Sequence, residues 1–254
     1  MDTLSQGTSV IHKLDPRILL VTTIIYIIFV ISFDRYAISA LIPFLIYPVT
    51  LLILGEMPLD YFIKKIILIS PFVLFLALLN PLFDRQIMMQ IAGIKISSGM
   101  ISSFSIILRF ILTVSSALLL IALIGIQGIC HALGKLYLPQ AFVTQLLLLY
   151  RYLFILTEEI SNTILAKSLR QLNSKSISFK TYISILGHIF LRSLDRAERI
   201  YLSMCSRGFS GHIPLSKKHY IKIEDILFLL MWSALFIVFR FCNISLLFGQ
   251  LISR

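Results

Sequence analysis

Apolar residues fall in five long runs separated by short polar breaks. Residues 18–33, 36–54, 62–80, 99–124 and 226–249 are each dominated by Leu, Ile, Phe, Val and Ala. About 20 such residues of helix cross the hydrocarbon core of a bilayer, so the pattern predicts five transmembrane helices. The first run is short, at 16 residues. Asp34-Arg35 makes a charged turn after it, and Pro43 and Pro48 are expected to bend the second. Gly55-Glu56-Met57-Pro58 ends that run, and Lys64 and Lys65 stand at the entrance of the third. Residues 81–98 are less apolar and read as an extracytoplasmic loop, with the alternation from Ile91 to Ile96 suggesting a small hairpin. Residues 141–156 are apolar again but carry Arg151 and lead into Glu158-Glu159. They are a sixth candidate span, or else a buried or re-entrant element near the cytoplasmic face.

Between the fourth and last runs the pattern changes. From 183 to 204, apolar residues recur at Ile183, Leu186, Phe190, Leu194, Ala197, Tyr201 and Met204. Steps of three and four place them on one helical face. The opposite face holds His188, Arg192, Asp195, Arg196 and Arg199, where Arg192/Asp195 and Asp195/Arg199 have ion-pair spacing. Gly208 is placed to end the helix in the left-handed conformation, and Pro214 prevents continuation. Arg207 is thereby presented at a helix terminus, either to cap its own carbonyls or to reach an acidic groove on another protein. An earlier helix over 146–169 also ends in a cation, Arg170, before the break at Asn173-Ser174. Two helices ending in arginine read as a paired device that grips a cytoplasmic partner.

Composition agrees with a membrane assignment. Of 254 residues, 58% are hydrophobic and 14% charged, whereas soluble domains carry about 25% charged residues. The fold class is therefore all-α: a polytopic membrane protein with five transmembrane helices, a sixth candidate, and two long amphipathic cytoplasmic helices. Three domains follow: an N-terminal bundle over 1–124, a cytoplasmic segment over 125–224 with 141–156 the stretch that enters the membrane if any does, and a C-terminal helix over 225–254. The net charge of +11 is uneven. With the N-terminus inside, the cytoplasmic side holds Lys13, Arg17, Lys64, Lys65 and thirteen Lys/Arg between 125 and 225. The outside holds only Arg35, Arg85, Lys95 and Arg254. That asymmetry orients the chain in the cytoplasmic (inner) membrane and explains the basicity without nucleic acid. Residues 1–17 followed by an apolar run resemble a signal peptide, but the run leads straight into another and reads as an uncleaved first span.

Candidate chemistry is sparse. The runs contain no internal Asp, Glu or His, groups that proton- and cation-coupled carriers commonly place within the membrane. The five histidines lack metal-ligand spacing, and Cys130, Cys205 and Cys242 are too far apart in sequence for a CxxC pair. No phosphate-binding GxxxxGK[ST] occurs. No catalytic residue, metal site or cofactor of the chain's own is expected. Arg109, inside the fourth run, is the exception: an intramembrane arginine is a functional candidate, although bonding to backbone carbonyls explains it equally. Arg240 is expected to extend toward the outer interface.

Three stretches resemble one family. His12-Lys13-Leu14-Asp15-Pro16-Arg17, Leu149-Tyr150-Arg151-Tyr152 followed by Glu158-Glu159, and residues 196–211 are similar, in order, to motifs of the transmembrane T component of energy-coupling factor (ECF) transporters, the CbiQ/EcfT type. The resemblance implies a non-enzymatic subunit of an ATP-driven importer. Two crossing cytoplasmic coupling helices would each present an arginine motif to one of two ABC-type ATPase subunits, which bind the ATP and Mg. The motion would pass to a separate membrane-embedded substrate-binding (S) subunit. The first motif maps to Ala166–Gln171, with Arg170 as the contact and Lys167 as its alternative. The second maps to Ser206-Arg207-Gly208, supported by Leu194, Ala197, Tyr201 and Met204. Ser206 stands where the family usually has Ala, and Gln171 where Gly is common. The cargo implied is a vitamin or a transition metal ion, with the likeness of 196–211 to the cobalt/nickel branch favouring the metal. Two rival readings remain: a stand-alone secondary carrier whose cytoplasmic helices are structural, and a scaffold that binds acidic lipid or nucleic acid through its basic segment.

Overall fold

The computed structural model describes residues 9–34, 38–83, 87–91, 94–136, 138–170, 179–211 and 222–241. Their helices are α1 (Pro16–Ile31), α2 (Ile38–Leu41), α3 (Ile46–Leu54), α4 (Leu59–Phe83), α5 (Ser98–Lys135), α6 (Gln140–Arg170), α7 (Phe179–Cys205) and α8 (Ile223–Phe241). Between α4 and α5 lies an antiparallel hairpin of β1 (Ile87–Ile91) and β2 (Ile94–Ser97), with Ile91 opposite Ile94. Its position is that of the alternating stretch in the sequence. The chain divides into two compact units, residues 1–132 with 219–254, and residues 133–218.

The first unit is built around aromatic side chains. Tyr26 of α1, Phe44 and Tyr47 of the second apolar run, and Trp232 and Phe236 of α8 are buried together. Ring centroids lie 4.6 Å apart for Tyr26–Tyr47, 5.0 Å for Tyr47–Trp232 and 5.4 Å for Tyr26–Phe236, separations at which tilted aromatic pairs attract. Leu112, Leu119, Ala122 and Leu123 of α5 join this core. Gly55 lets α5 approach closely: a Cβ there would lie 2.8 Å from Cδ2 of Leu123 and 2.7 Å from the Leu51 carbonyl oxygen.

The outer surface is as apolar as the core. Along α4, Ile67, Leu68, Phe72, Phe75 and Leu78 are all more than 60% exposed. A soluble protein rarely presents a contiguous apolar surface of this kind, whereas lipid covers it without penalty. Among the described residues, three helical stretches are long and apolar enough to cross a membrane: Phe62–Pro81, Gly99–Lys135 and Gln140–Leu169. Pro16–Ile31 and Ile38–Leu54 are shorter apolar stretches. The protein is an all-α polytopic membrane protein, with one small hairpin among the described residues.

Each proline in the middle of an apolar run leaves a carbonyl without its helical donor, because proline lacks an N–H. Pro48 orphans the Phe44 carbonyl, to which the Tyr26 hydroxyl donates at 3.0 Å. Pro71 orphans that of Ile67, which accepts from Ser70 Oγ at 3.1 Å. Pro81 orphans that of Ala77, where Ser103 Oγ of α5 donates at 2.7 Å. In lipid an unmatched carbonyl costs several kcal/mol, so these hydroxyls make the bends tolerable. Pro43 and Pro48 break the second run into α2, a 3-10 turn (Ile42–Leu45) and α3, the bend the sequence predicts. α5 is interrupted at Gly125, whose φ of 68° and ψ of 169° are not helical.

Helices α1 and α8 run side by side and are tied at both ends. At their starts, the backbone N–H of Asp15 donates to Asp225 Oδ1 at 3.2 Å, and that of Lys222 donates to Asp225 Oδ2 at 2.9 Å. At their other ends, Arg240 donates to the Ser32 carbonyl at 3.1 Å and lies 4.4 Å from the Phe33 ring centroid. The two helices therefore run parallel, start beside start. Arg109 of α5 donates to the Asp34 carbonyl. The two intramembrane arginines thus both satisfy carbonyls just past the end of α1, which carries the negative end of its helix dipole. For Arg109 this is the carbonyl-bonding reading of the sequence.

Candidate coupling site

The second unit contains α6 and α7, the two helices whose periodicity marks them in the sequence. α6 begins at Gln140, and residues 141–156 form the first half of one unbroken helix rather than a separate element. That half is apolar, whereas the second half carries Glu158, Glu159, Lys167 and Arg170. Thr144, buried near the start of α6, donates to the Gly211 carbonyl at 3.3 Å, which anchors the segment following the second arginine motif.

The end of α7 follows the glycine rule. Gly208 has φ +82°; its N–H donates to the Cys205 carbonyl, and that of Phe209 donates to the Met204 carbonyl, each at 3.0 Å. This pair of bonds is the Schellman closure, with Gly208 at C′. Arg207 is consequently the C-cap residue, one step before the chain reverses. Its side chain is exposed and makes no hydrogen bond or ion pair among the described residues, so it does not cap its own helix. Ser206, also exposed, bonds back to its own helix, its Oγ donating to the Leu202 carbonyl at 3.0 Å. Tyr201 is hydrogen-bonded to the Cys205 thiol, which raises the phenol above its ordinary pKa.

The apolar face of α7 is left uncovered among the described residues. Leu194 and Tyr201 are more than half exposed, as are Ile183 and Phe190; Ala197 is also exposed, and Met204 is half-buried. At the first motif, Ala166 is exposed and Lys167 is half-buried against the groove between α6 and α7. Arg170 is the last residue of α6; its side chain, Gln171 and the connector that follows lie outside the described residues.

The expected polar face of α7 is corrected by the structure. Asp195 makes no ion pair among the described residues. Arg192 and Arg196 instead reach across to α6, where Arg192 Nη1 lies 3.2 Å from Glu159 Oε1 and Arg196 Nη2 lies 2.7 Å from Oε2. Local spacing of three or four residues favours Asp195, but a carboxylate on the facing helix can receive both guanidinium groups at once. Glu159 is only 15% exposed and Arg196 33%, so that pair is less screened than a surface pair, whereas Arg192, 67% exposed, is largely solvated. These residues line a groove of about 910 Å³ with Asn162, Thr163 and Lys167. Glu159 was visible in the sequence as part of a motif, but its partners 33 and 37 positions away were not.

Among the described residues no group of three or more His, Cys, Asp or Glu is arranged to hold a metal ion. Cys130 is buried and Cys205 exposed, and both are free thiols.

An apolar helical bundle joined in sequence to a long amphipathic helical hairpin defines a polytopic membrane protein with an extramembrane helical element. The chain belongs to the CbiQ family, described as "Cobalt transport protein", which matches residues 7–220. It is 26% identical over 220 residues to the energy-coupling factor transporter transmembrane protein EcfT of Bacillus subtilis, covering 81% of this chain and 82% of that protein. The EcfT protein of Streptococcus equi is 25% identical over 253 residues, covering 93% of each chain. An uncharacterized protein of Methanocaldococcus jannaschii is 25% identical over 233 residues, covering 88% of this chain and 79% of its own length.

Proposed function

We propose that this chain is the coupling subunit of an ATP-driven importer, itself without catalytic activity. Two ABC-type ATPase subunits bind and hydrolyse ATP with Mg on the cytoplasmic side, where the N-terminus, the second half of α6 and α7 lie. Arg207 docks into an acidic groove on one ATPase, and the first motif, through Arg170 or Lys167, docks into the other. Closure of the ATPases moves α6 and α7, and the motion reaches a membrane-embedded S subunit that selects the cargo. The cargo is a vitamin or a transition metal ion, with cobalt or nickel favoured by the resemblance of 196–211 and cobalt also by the family description. The orientation follows from the lysines and arginines concentrated in the α6–α7 segment.

One observation carries this reading: the uncommitted guanidinium of Arg207 at a helix end closed by Gly208. A permanent charge with five donors, held at a fixed turn and unpaired among the described residues, fits an acidic protein surface. Transport by the purified chain distinguishes the coupling reading from a stand-alone carrier. Reconstituted alone in vesicles, it accumulates no labelled cobalt, nickel or vitamin; with its ATPases and S subunit it does so only with ATP. Accumulation by the chain alone, driven by an ion gradient, would contradict the proposal.

A further inference from the structure

The groove between α6 and α7 is closed at its centre by one carboxylate, and its position in the two helices is regular. Glu159 lies 11 residues before Arg170 on α6, and Arg196 lies 11 residues before Arg207. At 1.5 Å per residue each arm is about 16 Å long, and 11 residues is almost three turns. The ion-paired contact between α6 and α7 among the described residues thus lies about three turns before Arg170 on α6 and about three to four turns before Arg207 on α7. Glu159 uses both oxygens, one for each of two arginines a single turn apart on α7. A carboxylate held in this way fixes both the axial register of the helices and their rotation about the contact, because slippage of either helix by one turn would break one bond or both.

We infer that Glu159, with Arg192 and Arg196, is the fulcrum of the coupling helices: a positioning residue that converts displacement at one arginine tip into displacement at the other. The inference rests on the coupling function proposed above for Arg170 and Arg207. Apolar contact alone does not supply this constraint. Ile155 and Ile185 line the same groove, but aliphatic side chains allow sliding and rotation at little cost. The fulcrum also accounts for Arg192 and Arg196 facing α6 while Arg207 remains free. Two arginines of α7 set its angle, and Arg207, just past the helix end, is left for docking.

The test uses the full chain, with Cys130, Cys205 and Cys242 replaced by Ser and spin labels at Leu169→Cys and Ser203→Cys, both exposed positions. The interlabel distance distribution is measured in lipid nanodiscs, and ATP-driven uptake is measured in the assembled complex. Glu159→Gln keeps the shape and removes the charge. It broadens the distribution and lowers uptake by about tenfold, the scale of a typical coupling free energy, while ATPase subunits still co-purify and still hydrolyse ATP. The charge-reversed triple variant Glu159→Arg, Arg192→Glu, Arg196→Glu restores a narrow distribution and recovers most of the uptake. An unchanged distribution in Glu159→Gln would overturn the inference, as would unchanged uptake in a complex that assembles normally. Failure of the unmodified chain to bind ATPases would instead overturn the coupling function, and the distance measurement on the chain alone would still decide whether Glu159 sets the helix geometry.

Discussion

At the scale of single residues, Gly208 decides how Arg207 is presented. A Cβ at Gly208 would meet nothing within 4 Å, so the requirement there is one of backbone conformation, not space. A non-glycine residue pays roughly 1 kcal/mol to hold a left-handed φ, and Asn pays less. Gly208→Ala is therefore expected to loosen the helix end by about 1 kcal/mol, with Gly208→Asn intermediate. The readout is hydrogen exchange at the amides of Gly208 and Phe209, which donate the two closing bonds. Both should exchange about fivefold faster in the Ala variant, since 1 kcal/mol is a factor of about five in an opening equilibrium. Unchanged protection would mean that the closure is held from elsewhere.

At the scale of elements, the prolines and hydroxyls form interlocking pairs. Tyr26 supplies the bond that Pro48 denies to the Phe44 carbonyl. Tyr26→Phe leaves a buried acceptor unmatched and is expected to cost about 2 kcal/mol. Pro48→Ala returns an amide N–H to the helix, so in its presence Tyr26→Phe should cost less than about 1 kcal/mol. Tyr47→Phe is a milder change, because Thr23 keeps its bond to the Leu19 carbonyl. A double-mutant cycle of thermal unfolding in detergent checks the coupling, and strictly additive effects would contradict it. These pairings also mark how far the sequence could be read. The prolines and the bend they cause are local and legible. The partners of the freed carbonyls are not, since Tyr26 is 18 positions from Phe44 and Ser103 is 26 from Ala77.

The same division holds for the site. The helical period of α7, its stop at Gly208 and the arginine before it follow from spacing within a few turns. The engagement of Arg192 and Arg196 with Glu159 could not be read, because nearest-neighbour spacing on one helix pointed to Asp195. A facing helix outcompetes a neighbour on the same face when it offers a carboxylate that satisfies two cations. Nor did the sequence suggest that Asp15 and Asp225, 210 positions apart, would be joined. Both are buried at helix starts, and a carboxylate accepting amide N–H groups there is stabilised by the dipole of each helix.

At the scale of the whole molecule, each unit has its own task. The first is an aromatic core in an apolar shell, with its polar groups used to satisfy helix ends and prolines. Among its described residues the second keeps an apolar face on α7 exposed and leaves Arg199 and Arg207 unpaired, which is the reverse of what a self-contained protein would do. Membership of the CbiQ family gives that exposure a purpose, since a coupling subunit must leave surface for its partners. The most direct measurement is affinity purification of the tagged full chain in mild detergent, comparing wild type, Arg207→Glu and the double variant Arg170→Glu, Arg207→Glu. Wild type should bring down ABC-type ATPase subunits and an S subunit. Arg207→Glu should retain at least about tenfold less ATPase, as expected when an interfacial charge pair becomes a repulsion, and the double variant should retain none. If the double variant recovers the same ATPases as wild type, the arginine motifs are not the contact and the account is wrong at its centre.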